Sequence, residues 1–320
     1  MKHELMIVII VIIVMTGCAK TDTPQKEPEL IEYHTGSSGL EMKFLDQSPP
    51  EEVWELSKFP ISIKIENKGA YDVDDGILYI NYDQQTLQLS NNLIELQRPL
   101  HGKSQFYPEG ERQIIDISAD HFKSLQKREK SDKTVISANL CYTYTTEATA
   151  ELCINPARFT HTEVEQGICD PSKSISLGSQ GAPVAVTSIE QHTVPREYGE
   201  FGIKFKIDIE NVGKGEVRKN TAYYKECNIG ISQPLVEKEK GVIQIDEIAF
   251  SDYSTSDDAF NKIACRPNEE EIKLEDGKAS ILCTAILEKE RGSYTTPLSV
   301  RLSYGYVSSE SESVKIKKFE

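Results

Sequence analysis

A nine-residue phrase that occurs twice constrains this chain more than anything else in it. Ile61-Ser62-Ile63-Lys64-Ile65-Glu66-Asn67-Lys68-Gly69 returns as Phe205-Lys206-Ile207-Asp208-Ile209-Glu210-Asn211-Val212-Gly213. In both copies apolar and polar residues alternate, which is the period of a strand with one face in a core. Each run stops at Asn-x-Gly, where the chain can turn. A helix cannot bury such a pattern on one side, so the phrase points to a sandwich strand feeding a loop.

The repetition extends outward. Gly36-Ser37-Ser38-Gly39-Leu40 is matched by Gly178-Ser179-Gln180-Gly181-Ala182, and Leu140-Cys141-Tyr142-Thr143-Tyr144 by Leu302-Ser303-Tyr304-Gly305-Tyr306. The order is the same in both copies and only the spacing grows in the second. Units of roughly 140 to 150 residues are too long for solenoid or propeller repeats and have the size of whole domains. The sequence therefore predicts an all-β chain made of two tandem antiparallel β-sandwich domains, over 34–165 and 166–320.

The N-terminus carries an export signal. Lys2 precedes an apolar run from Leu5 to Met15, which suits a signal-peptide core and falls short of the ~20 residues that span a bilayer as a helix. Met15-Thr16-Gly17-Cys18 follows and resembles the lipobox of prokaryotic lipoproteins, with Met15 in place of the commoner Leu. The expectation is a signal peptide over 1–17 and a lipid on Cys18, anchoring the chain to the membrane. An ordinary cleaved signal or a short uncleaved anchor are the alternatives, and each of them exports the remainder. Residues 18–33, polar and proline-bearing, read as a flexible tether.

Cysteine usage agrees with export. Six cysteines remain besides Cys18, an even number for which disulfides are the default. Cys141 and Cys153 lie symmetrically about Glu147, so a hairpin turning at Thr146-Glu147-Ala148 would set them opposite each other. Cys265 with Cys283 and Cys169 with Cys227 complete the simplest local scheme, one of fifteen possible pairings.

Strands are expected at Leu40–Leu45, Gly76–Tyr82, Thr86–Leu89, Gln113–Ile117 and Thr134–Tyr144 in the first half. In the second they are expected at Val242–Ile245, Glu247–Phe250, Glu271–Leu274, Ser280–Leu287, Leu298–Val307 and Ser313–Lys317. Glu275-Asp276-Gly277-Lys278 supplies a tight hairpin turn. Trp54, the one Trp of the chain, follows Pro49-Pro50; it either caps the end of a sandwich or serves as a binding aromatic.

Several of these features resemble archaeal cell-surface proteins with tandem immunoglobulin-like domains. They are Gly36-Ser37-Ser38-Gly39-Leu40, Pro49-Pro50, the run Ile65-Glu66-Asn67-x-Gly69-Ala70-Tyr71-Asp72-Val73, Cys141-Tyr142-x-Tyr144-x-Thr146 with Cys153-Ile154, and Gly178-x-x-Gly181-Ala182-Pro183-Val184. The strand ending in Asn-x-Gly is similar, more distantly, to CARDB-type adhesion modules. The resemblance implies immunoglobulin-like sandwiches in a surface or scaffold role and brings no catalytic residues with it.

The sequence carries little that points to chemistry. The six histidines (His3, His34, His101, His121, His161, His192) form no His-Glu-x-x-His, and neither serine cluster has nucleophile-elbow spacing. Asp72-Val73-Asp74-Asp75-Gly76 and the stretch from Ser251 to Asp258 could be weighed as calcium loops, but both lack the ligand pattern of an EF-hand and read as solvated turns. No metal and no cofactor are expected. A formal charge of −15 argues against a nucleic-acid partner, which needs clustered Lys and Arg. The reading is a non-catalytic, membrane-anchored surface protein that meets an envelope protein or a glycan through loops or edge strands. Leu298–Val307 is a candidate for adding to a partner's sheet. The alternative is an exported solute- or glycan-binding protein or enzyme with a site in the additional material that the second repeat carries between Val217 and Leu287.

Overall fold

The computed structural model describes residues 32–97, 99–126, 131–155, 169, 174–195, 201–220, 227, 238–250, 263–287 and 293–319. Strands dominate them. The first half supplies β1 (Leu40–Phe44), β2 (Glu52–Trp54), β3 (Lys58–Asn67), β4 (Gly76–Asn81), β5 (Leu87–Leu89), β6 (Leu93–Glu95), β7 (Arg112–His121) and β8 (Ser131–Ile154). The second supplies β9 (Ile175–Ser176), β10 (Val184–Pro195), β11 (Phe201–Asn211), β12 (Glu216–Arg218), β13 (Val242–Phe250), β14 (Ala264–Arg266), β15 (Glu271–Lys273), β16 (Lys278–Leu287) and β17 (Tyr294–Lys317). The chain is all-β, as the alternation requires.

Three sheets form. A four-stranded sheet runs β1-β3-β7-β5 and a five-stranded one β14-β16-β11-β10-β9. The third runs β15-β13-β17-β8-β4-β6, with β12 and β2 also pairing to β17. The repeated phrase lies on β3 and β11, where Ile61, Ile63 and Ile65, and Phe205, Ile207 and Ile209, are buried.

The third sheet joins the two halves. β8 and β17 pair antiparallel along their whole length, from Ser131 opposite Lys317 to Ile154 opposite Tyr294. At mid-ladder Tyr142 faces Tyr306 and Tyr144 faces Tyr304, so the matched Tyr-x-Tyr motifs cross about Thr143 and Gly305. Beyond the crossing each strand continues into the other repeat. The far end of β17 takes β2 of the first half as its neighbour. The far end of β8 lies against β10, where the Gln191 side chain bonds both the N–H (3.0 Å) and the carbonyl (2.9 Å) of Cys153. Each repeat is thus closed by a strand segment from the other, and one hydrophobic core runs from Leu40 to Ile316. The border expected near 165 lies outside the described residues.

This exchange explains the Asn-x-Gly phrase. Asn67 Nδ2 donates to the carbonyls of Tyr71 (2.8 Å) and Leu100 (2.8 Å), and Asn211 Nδ2 donates to that of Gly215 (2.9 Å). Gly69 and Gly213 are glycines because a Cβ there would strike the hydroxyls of Tyr144 and Tyr306, which arrive from the crossing. Those hydroxyls accept N–H bonds from Tyr71 (3.2 Å) and Gly215 (2.8 Å) respectively. Tyr142 and Tyr304 do the same for Leu40 (3.0 Å) and Val184 (3.2 Å). Burial pushes the Tyr306 phenol up to about 12 and raises the other three as well, so all four stay neutral donors and acceptors.

The hairpin expected at Thr146-Glu147-Ala148 does not form. Alternate burial continues through it in β8, and no Gly, Pro or Asn lies between Cys141 and Cys153 to break the run. Cys141 and Cys153 therefore sit on one extended strand, about 40 Å apart at ~3.3 Å per residue, and cannot bond each other. Instead Cys141 bonds Cys227 (Cα–Cα 5.6 Å) and Cys153 bonds Cys169 (5.7 Å), so Cys169 and Cys227 are not partners either. Cys265 and Cys283 face each other on β14 and β16 and are bonded (4.0 Å). Three disulfides suit an oxidising, extracytoplasmic environment.

Two further expectations change. Leu298–Val307 is interior, held between β8 and the strands β13 and β12. The two runs 242–245 and 247–250 are one strand, β13, with a register shift between Ile245 and Glu247.

Candidate functional site

Two surfaces have features that folding alone does not require. The first is the tip beyond β2. Trp54 is 49% exposed, Leu56 62%, Phe122 50% and Phe319 70%, and they come from three separate segments of chain. Between Trp54 and Leu56 the Glu55 side chain turns inward and is buried. Its carboxylate accepts the Leu125 N–H (2.6 Å), the Ser124 hydroxyl (3.1 Å) and the Phe319 N–H (3.1 Å), tying the 122–126 loop and the C-terminal segment to β2. The Leu125 N–H is foremost in holding this carboxyl below the usual value.

Around that clamp the apolar groups are fixed in place. Trp54 and Phe319 meet edge to face at 5.7 Å, and Lys317 Nζ lies 5.9 Å from the Trp54 ring centre. Leu56 has φ +58°, a left-handed conformation that is costly for a non-glycine residue and here leaves an apolar side chain in water. The Leu56 N–H donates to His121 Nδ1 (3.3 Å). Burial lowers the affinity of His121 for a proton, which keeps that nitrogen an acceptor. Trp54 is therefore half exposed at this tip and packed on Phe319.

The second surface is a lateral cleft of about 310 Å³ beside the crossing. Its walls are β1, the 212–215 loop and the outer side of β17 at Ser308 and Glu310, with Tyr142 and Tyr306 between them. On that side β17 pairs with β12 as far as Val307 and with β2 from Lys315. Among the described residues no strand pairs with the segment between. The core-facing positions there, 308, 310 and 312, hold Ser, Glu and Glu, and both glutamates are exposed. The Ser308 hydroxyl is buried without a hydrogen-bond partner.

Among the other sequence candidates, Cys18 and the stretch from Ser251 to Asp258 lie outside the described residues. Asp72 is engaged locally, accepting the Gly102 N–H (2.9 Å) and contacting His101 Nδ1 (3.0 Å). Among the described residues no group of three or more His, Cys, Asp or Glu is placed to hold a metal ion. Leu56, Phe122 and Phe319 carry no signal in the sequence because each is a single apolar residue, brought to the Glu55 clamp only by hydrogen bonds between distant segments. Sequence reasoning also passed over 308–312, where the one available signal is that alternation lapses into Ser and Glu inside a strand.

No family model and no curated protein matches the chain. Two solved structures overlap it loosely. The secreted serine protease VesC from Vibrio cholerae is 8% identical with a TM-score of 0.21, over 88% of this chain and 52% of that one. The CupB6 tip adhesin from Pseudomonas aeruginosa is 9% identical with a TM-score of 0.16, over 89% and 97% respectively. The chain spans about half the length of the VesC protease, and likeness at these scores carries no argument.

Proposed function

We propose that this protein is a non-catalytic binding module of the cell surface, lipid-anchored through Cys18 and engaging an envelope protein or glycan through exposed loops. The observation that carries this is the tip. Four large apolar side chains are held in water by a buried carboxylate clamp and a left-handed leucine, and exposed apolar groups gathered in this way mark interaction sites. The lipobox and the disulfides support a location outside the cytoplasm, and the resemblance to tandem immunoglobulin-like surface proteins supports a scaffold role.

Cross-linking on intact cells, with affinity capture and mass spectrometry of the native chain and of a Trp54→Ala/Phe319→Ala variant, tests this. The expected result is a reproducible envelope partner or glycan that the variant fails to recover. Equal recovery by both proteins would remove the tip from the binding surface. Cys18→Ala should release the protein from the membrane fraction, and retention of that variant would refute lipidation as the anchor.

A further inference from the structure

We propose that the β17 edge between Val307 and Lys315 is a slot for an extended segment of a partner protein bearing lysine or arginine at alternate positions, which adds to the third sheet as a strand. The proposal goes beyond the tip and does not depend on it.

The ladder itself argues for the slot. The N–H of Lys315 donates to the Glu51 carbonyl, and the Lys317 carbonyl accepts the Glu55 N–H. Lys315 and Lys317 thus aim their main-chain groups away from β8. The pairing of β17 with β8 has no register shift, so the two-residue period aims those of Ser309, Ser311 and Ser313 the same way. Strands cover both ends of this edge, β12 as far as Val307 and β2 from Lys315. Among the described residues the gap between them measures roughly 23 Å at ~3.3 Å per residue, which suits a guest of about seven residues.

The side chains define the guest. Glu310 and Glu312 occupy core-facing positions yet stand exposed at the opening, with the cleft beside Glu310. An apolar guest would leave two carboxylates against its face, and an acidic one, including a second copy of this segment, would be repelled. A guest with cationic side chains at alternate positions sets them opposite these carboxylates as cross-strand pairs. The buried, unpartnered Ser308 hydroxyl gives one further polar group for an incoming strand to satisfy.

The test uses the full folded chain and a synthetic peptide alternating lysine and valine, Lys-Val-Lys-Val-Lys-Val-Lys. Binding is followed by fluorescence anisotropy, and amide hydrogen exchange of the protein reads where the peptide sits. The expected result is slowing of exchange at Ser309, Ser311 and Ser313 by about tenfold or more. Glu310→Lys with Glu312→Lys should weaken binding by about tenfold or more. Ser311→Pro removes one outward N–H and leaves the pairing with β8 intact, so it should block binding without changing the melting temperature. A peptide N-methylated at alternate residues repeats that test on the unaltered protein and should not bind. The proposal is overturned if no lysine-valine peptide binds. It is also overturned if binding leaves those amides unprotected, or if the N-methylated or a glutamate-valine peptide binds equally well.

Discussion

Tyr144 of the first repeat stands opposite Tyr304 of the second, ring centres 6.4 Å apart, at the point where β8 and β17 cross from one half of the molecule into the other. The Tyr304 hydroxyl accepts the Val184 N–H and donates to Thr146 Oγ1 (2.9 Å), which in turn donates to the Val184 carbonyl (2.7 Å). All of this is buried. Tyr304→Phe should therefore cost roughly 1–3 kcal/mol, since it strands a buried N–H. Tyr142→Phe should cost a similar amount at the matched position. Urea unfolding of both variants measures it, and a change within error would show that the crossing is held by packing alone.

Exchange of closing segments makes each half depend on the other. Truncation after Val307 removes the end of β17, including buried Val314 and Ile316. Amides of β1, β3 and β7 should then lose exchange protection while those of β11 and β16 keep theirs. Equal loss in both halves would mean that the molecule unfolds only as one unit.

The matched glycines give a sharp contrast. Gly69→Ala and Gly213→Ala drive a methyl group into the hydroxyls of Tyr144 and Tyr306 and should destabilise by about 1–3 kcal/mol. Gly178→Ala meets nothing within 4 Å and should be neutral or slightly stabilising. Thermal melts of the three proteins check this ranking.

Non-reducing peptide mapping should recover Cys141 joined to Cys227 and Cys153 joined to Cys169. Replacing Cys141 and Cys227 together by serine opens a link across 86 residues and should cost about 2–4 kcal/mol. A peptide joining Cys141 to Cys153 would contradict the continuous β8 strand.

The tip should loosen in acid. Glu55 holds its proton less tightly when folded than the ordinary value of 4.5, foremost through the Leu125 N–H. Its contribution is therefore present in full above that value and is lost as pH falls through the lower, folded value. Protection of the Leu125 and Phe319 amides, taken relative to the intrinsic exchange rate at each pH, should fall below about pH 4.5, and Glu55→Gln should flatten that fall. Protection factors at these amides that do not change with pH in the native protein would remove the carboxylate as the clamp.

Much of the fold was legible one strand at a time. Alternation in Ile61–Ile65 and Phe205–Ile209 reports which face is buried, because successive side chains of a strand point to opposite sides. The twin Asn-x-Gly phrases announced a duplication. Turns were read less well where the only evidence was symmetry of spacing. Cys141 and Cys153 invited a hairpin about Glu147, whereas uninterrupted alternation through Thr146 was the better guide and favours one long strand.

The sequence by itself determined the class of structure, the repeated plan, and the oxidising setting that disulfides need. All of these follow from local periodicity and residue chemistry. Only the tertiary structure decided which repeat closes which sandwich, which cysteines meet, and where apolar side chains gather in water. Those outcomes depend on which segments far apart in the chain become neighbours. Tyr144 and Tyr304 carry no sign in their own surroundings that they will face each other, because strand pairing is settled by burial of both halves in a common core.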